Sequence, residues 1–201
     1  MKMKKTITLL LSVVLLLSTL AACGGDKEEK VEFSRGTTEG NTYTSTFAGI
    51  KFEAPDDWTL ASEEELNAMM NVALDTTDTS ALQKKYLELS TVYDMVAIAP
   101  DNTNVMVMYE NLALTPGGTS YDEEKYAEAV KGQLDSSYTC GDTYTTDVGG
   151  KTFTVMPASI SGGQMYQEYF LLRVGTYMTC IVFTSLSEPA SEGMVEYFSA
   201  A

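Results

Sequence analysis

Between residues 137 and 185 the chain carries four strand candidates in succession, at 137–147, 151–157, 164–173 and 176–185. Gly149-Gly150 and Val174-Gly175 stand between members of this series as tight-turn signals. Strands joined by such short turns pair antiparallel, because a parallel pair needs a crossover of a dozen residues or more. The same reading applies upstream. Residues 91–99 and 104–112 form a hairpin around Pro100-Asp101-Asn102, and residues 42–47 pair with 50–53 across Ala48-Gly49. Both arms of the 91–112 hairpin are apolar at nearly every position. A strand with one wet face alternates, so this hairpin predicts a sheet covered on both sides.

Helical periods fall between these strands. Ser62 stands three residues before Glu65 as a capping box, and Leu66, Met69, Met70 and Ala73 follow at helical spacing. A second short helix is expected over 80–89, with Leu82, Tyr86 and Leu89 on one side. Ser120 and Glu123 make another capping box, opening a helix with Tyr126, Val130 and Leu134 in line. Pro189 suits the start of a last helix over 189–200, with Met194, Tyr197 and Phe198 as its apolar side. The expected class is α+β, an antiparallel β-sheet flanked by helices. Residues 41–201 make one globular domain, long enough to bury about two thirds of its unfolded surface.

The N-terminus is of another kind. Lys2, Lys4 and Lys5 precede the apolar run 7–20, and small residues follow at Ala21 and Ala22. That is the layout of a secretory signal peptide over residues 1–22. The run falls short of the roughly 20 apolar residues of a transmembrane helix. Leu20-Ala21-Ala22-Cys23 resembles the lipobox of bacterial lipoproteins. The resemblance implies cleavage between Ala22 and Cys23, with Cys23 carrying a diacylglyceryl group and becoming the first mature residue. Two acyl chains, palmitate or similar, hold a membrane stably where one does so only marginally. Residues 24–40 are rich in glycine, charge and threonine without an apolar period, and read as a flexible tether from the lipidated Cys23 to the domain.

The chain has 13 basic and 28 acidic residues, a net charge of −15, and loss of the three leader lysines leaves it near −18. Such a surface repels phosphate backbones, so no nucleic acid partner is expected. It has no electrostatic hold on anionic lipid either, which leaves anchoring to the acyl group.

A second resemblance covers most of residues 41–201. Gly49-Ile50-Lys51-Phe52-Glu53-Ala54-Pro55-Asp56-Asp57-Trp58, a strand running into Phe-x-x-Pro-x-x-Trp, is similar to the opening of PsbP-like domains, as carried by many small Firmicute lipoproteins. Gly149-Gly150-Lys151 and the run YQEYFLLRVGTYMTCIVFT are similar to the C-terminal hairpins of that family. The resemblance implies an antiparallel sheet sandwiched between helices, α/β/α, and no catalytic residues.

Histidine is absent, which removes Ser-His-Asp and Cys-His catalysis and most zinc sites. Residues 75–80 and 101–104 lack the carboxylate spacing of a calcium loop, and Glu63-Glu64-Glu65 belongs to a helix first turn. No metal or cofactor is expected. Three residues are candidates for contact with a ligand. Trp58 is read first as a cover on the core and second as a stacking surface. Asp94 shares an alternation with Val92, Val96 and Ile98, and Glu168 with Tyr166, Phe170 and Leu172. A carboxylate inside an apolar strand needs a partner, a shifted pKa, or a strand edge facing water. Together the two could in principle serve glycoside hydrolysis. Cys140 and Cys180 are either bonded or two buried thiols. The resulting expectation is a non-enzymatic lipoprotein on the extracytoplasmic face of the cell membrane, binding an unidentified small ligand or envelope partner. An accessory or assembly factor for another exported protein is the alternative, and a carboxylate-dependent hydrolase the third reading.

Overall fold

A computed structural model of the protein describes residues 32–76, 90–115, 117–160, 164–186 and 191–201. The leader, Cys23, the first part of the tether and the helix expected over 80–89 lie outside these residues.

Among the described residues, two antiparallel sheets account for most of the structure. The larger has eight strands: β4 (Thr59–Leu60), β5 (Thr91–Ile98), β6 (Asn104–Asn111), β7 (Tyr138–Cys140), β8 (Tyr144–Val148), β9 (Lys151–Ile160), β10 (Tyr166–Val174) and β11 (Tyr177–Ser185). Their order is β4-β5-β6-β11-β10-β9-β7, with β8 also on β9. The smaller has β1 (Thr37–Glu39), β2 (Thr42–Ser45), β3 (Ile50–Glu53) and β12 (Phe198–Ala200), in the order β1-β2-β3-β12. The helices are α1 (Glu63–Thr76), α2 (Glu123–Lys131) and the single turn α3 (Ser191–Met194).

The large sheet is buried on both faces, as the 91–112 hairpin predicts. On one face Val96, Met106, Met108, Met156, Leu171 and Val182 meet Leu66 and Met69 of α1 and Tyr126, Ala127 and Val130 of α2. On the other, Val105, Val107, Val155, Phe170, Ile181 and Phe183 meet Tyr43, Ile50 and Phe52 of the small sheet. Described residues therefore stack as small sheet, large sheet, helices. The coarse α+β expectation holds. The α/β/α sandwich is not confirmed: among the described residues a second sheet covers the face opposite α1 and α2.

Four local expectations change. The capping box at Ser62 forms as read: the Ser62 amide donates to Glu65 at 2.8 Å and the Glu65 amide to Ser62 Oγ at 3.3 Å. At α2, however, the cap is Asp122, whose side chain accepts from the Lys125 amide at 2.8 Å. Ser120 closes a 3-10 turn instead, donating to the Gly117 carbonyl. The final α-helix ends at Met194 and passes into a 3-10 turn over Val195–Tyr197. Phe198–Ala200 then pairs with β3, giving that edge the partner it would otherwise lack.

The strand expected over 137–147 divides into β7 and β8. In the register on β9, residues 141–143 oppose only residues 156–157. This is a β-bulge, and Pro157, with no N–H to donate, sits in it. The Gly141 amide donates to the Pro157 carbonyl at 2.9 Å, and a Cβ on Gly141 would stand 2.9 Å from Pro157 Cγ.

The end of the expected tether belongs to the fold. Phe33 stacks on Tyr177 with ring centroids 4.5 Å apart and meets Phe47 and Tyr109 edge-on, and β1 pairs with β2. Packed structure thus begins near residue 33, where residue 41 was expected. A single aromatic ring docked on three others offsets the ordering of a short polar segment that composition alone reads as loose.

Candidate functional site

The bulge at Pro157 leaves a pocket of about 270 Å³. Its wall includes Thr139, Gly141, Pro157, Ser159, Tyr166 and Glu168. Registers Ser159↔Tyr166, Pro157↔Glu168 and Thr139↔Ser159 put these side chains on the face shared with Phe170 and Val155. The small sheet covers that face only further along.

Glu168 is 8% exposed. Its Oε1 accepts from the Tyr144 hydroxyl at 2.8 Å, and Tyr144 reaches it from β8 on the far side of the bulge. Among the described residues no ion pair reaches this carboxylate. The alternation read from the sequence for Glu168 is the one observed: Phe170 and Leu172 face the same way. Gln167 points to the opposite face, donating to Thr184 and accepting from Tyr169. Cys140 also packs on the helix side, and burial raises its thiol pKa. The arrangement is a concave site with one charged group, the hydroxyls of the exposed residues Thr139 and Tyr144 near it and apolar walls, suited to holding a ligand in one orientation.

Asp94 is placed otherwise. Val92 pairs with Tyr109 and Met95 with Val107, so Asp94 is the extra residue of a bulge in β5. The bulge breaks the expected alternation with Val96 and Ile98, which face the helices, and turns Asp94 toward the small sheet. There it is 6% exposed and fully occupied. Arg35 Nε donates to Oδ1 at 2.9 Å, and the Gly36 amide and Tyr43 hydroxyl donate to Oδ2 at 2.7 and 2.6 Å. Arg35 also donates to the Tyr93 carbonyl at 2.7 Å. The chain continues through Tyr43 and Tyr109, 3.2 Å apart, to Ser45 at 2.7 Å. Burial pushes the Tyr109 hydroxyl up to about 12. Asp94 is a latch that holds residues 33–36 against the sheet.

Asp94 and Glu168 are therefore not brought together. Strands β6 and β11 lie between β5 and β10. Three strand spacings put the backbones roughly 14 Å apart, beyond the ~5–9.5 Å that carboxylate pairs of glycosidases span. Trp58 shares a pocket with neither. It is half-buried and packs on Phe52 and Tyr197, with centroids 6.3 and 5.9 Å away, as a cover over the core between the sheets.

A third buried carboxylate was not singled out in the sequence. Glu110 on β6 is 5% exposed and accepts from Thr115 and from Tyr126 of α2, both at 2.6 Å. Cys180 Sγ donates to the Tyr126 hydroxyl at 3.7 Å. Burial raises the pKa of Glu110, and its two hydrogen bonds oppose that shift. The signal available was a lone acid near the end of an otherwise apolar strand. Cys140 and Cys180 are both free thiols.

Among the described residues no group of three His, Cys, Asp or Glu side chains is placed to hold a metal ion. No helix among them is long and apolar enough to cross a membrane. No family model matches the chain, and no curated protein does. A solved structure from Bacteroides thetaiotaomicron is similar over 82% of this chain and 49% of that one, with a TM-score of 0.38 and 11% identity. The chain thus spans about half the length of that structure, and a likeness this weak carries no function across.

Proposed function

We propose that the protein is a lipoprotein held on the extracytoplasmic face of the cell membrane through Cys23, and that its globular part, a PsbP-like domain, is a non-catalytic binding module. The observation that carries the anchor is Leu20-Ala21-Ala22-Cys23 at the end of the apolar run 7–20. Two chains on the cysteine sulfur would supply a stable hold that an acidic surface does not. With Phe33 packed on the domain, residues 24–32 are the span between anchor and fold. Fully extended, they reach no further than about 32 Å, so the domain stays within one small-domain diameter of the bilayer. The pocket at Glu168 is the module's binding site in this reading, because it joins a concave apolar wall to one buried charge that has no counter-ion among the described residues. Trp58 folds back on Phe52 as a cover on the core, the packing read from the Phe52–Trp58 stretch.

The test is fractionation of cells expressing the full chain and its Cys23→Ala variant. Wild-type protein should sediment with membranes, and its mature N-terminus should be a diacylated Cys23 by mass spectrometry. Equal membrane retention of the variant, or an unmodified peptide running through residue 23 with the leader attached, would overturn the proposal.

A further inference from the structure

The pocket's chemistry narrows the class of ligand. We infer that it takes a primary ammonium group carried on a short apolar chain, an assignment that rests on the binding-module reading above.

Glu168 is more than nine-tenths buried and lines the pocket, yet no cation among the described residues neutralises it. Its Oε2 carries no hydrogen bond among the described residues, and a donor of opposite charge makes a strong charge-assisted one there. An anionic ligand would meet Glu168 and a chain of net charge −15, so anions are disfavoured twice. Tyr144 takes one acceptor site on Oε1, which leaves Oε2 as the open acceptor, and an ammonium meets it as a compact point donor. A calcium or magnesium ion needs several oxygen ligands, and no cluster of acids among the described residues supplies them. Pro157 and the Tyr166 ring give the walls an apolar body to pack against, while the volume, about 270 Å³, admits only a small molecule.

The same geometry says which groups set selectivity. Glu168 reads the charge. Thr139 is exposed on β7 at the same face, so a bulky side chain there would fill the pocket without touching the carboxylate's own strand.

The experiment is a titration of the full chain in detergent micelles with n-butylammonium chloride, followed by backbone amide NMR. Saturable shifts should appear at Gly141, Ser159 and Glu168. Glu168→Gln, which keeps an oxygen for Tyr144, should weaken binding at least tenfold while the rest of the spectrum is unchanged. Thr139→Trp should weaken it at least tenfold with the carboxylate intact. n-Butanol, the neutral analogue, should bind at least tenfold more weakly. The inference falls if n-butylammonium does not saturate, if its shifts lie away from the bulge, if n-butanol binds as tightly, or if neither variant changes the affinity. Fractionation of the Cys23→Ala variant reports on the anchor whatever the titration gives, so the two readings fail separately.

Discussion

The two arginines of the chain, Arg35 and Arg173, do similar work. Each is a fork of donors that reaches backbone carbonyls. Arg35 holds Asp94 and the Tyr93 carbonyl, while Arg173 donates to the Tyr121 carbonyl at 2.6 Å and to that of Gly175 at 3.0 Å. Asp94→Ala should cost ~2–4 kcal/mol in urea unfolding, since it strips the acceptor from three donors in a buried setting. Arg35→Ala should cost less. Its side chain is 41% exposed, water screens the pair, and its removal opens Asp94 to hydration. Asp94→Ala should also expose residues 33–39 to proteases in the native protein. Glu110 predicts a pH dependence. Its folded pKa is raised by burial, so its contribution to stability is fully present below the usual carboxylate range and is lost as pH rises through the folded value. Glu110→Gln should therefore gain stability relative to wild type between pH 4 and pH 7. A difference independent of pH would contradict this.

Among secondary-structure elements, helix caps and turns give the sharpest contrasts. Asp122→Ala should lower the urea midpoint measurably as the loss of an N-cap. Ser120→Ala, which removes an exposed hydroxyl from a turn, should cost clearly less. Gly149 and Gly150 both have positive φ, at 57° and 76°. A Cβ on Gly149 would lie 2.6 Å from the Ser199 carbonyl oxygen, whereas one on Gly150 meets nothing within 4 Å. Gly150→Ala should cost ~1 kcal/mol, the price of the left-handed conformation alone. Gly149→Ala should cost at least about twice that, because β12 must move. Equal losses for the two would show that β12 does not approach the β8–β9 turn as described. The same level explains the candidate site. Gly141 and Pro157 make the bulge, and the bulge makes the pocket.

For the whole molecule, charge and thiols matter most. With 28 acidic against 13 basic residues, self-repulsion works against the compact state at neutral pH. Raising sodium chloride from about 10 to 150 mM shortens the screening length from roughly 30 to 8 Å, and Tm should rise with it. A fall would mean that ion pairs such as Arg35–Asp94 outweigh the excess of acid. Burial raises the pKa of both Cys140 and Cys180, so neither is poised as a thiolate. Iodoacetamide at pH 7 should label them slowly in the folded protein and rapidly in urea, with no reductant needed.

The hairpins 42–53, 91–112 and 166–185 were legible because their signals are local: period two, apolar density, and a turn within a few residues. The same locality made the Ser62 cap readable. The α+β class follows from these elements alone. What only tertiary structure decided is long-range. Strand β11 pairs with β6, some seventy residues earlier in the register Tyr177↔Asn111 to Thr184↔Asn104, and so sets apart Asp94 and Glu168. The face of Asp94 turned on one bulged residue, which shifts alternation by one without leaving a compositional mark. Residues 33–39 read as tether because their polarity is visible in sequence, whereas the rings that receive Phe33 come from residues 47, 109 and 177. Local periodicity records which way a segment folds. Contacts between distant segments choose its neighbours, and with them which carboxylates are tied by several donors, as Asp94 is, and which by one, as Glu168 is.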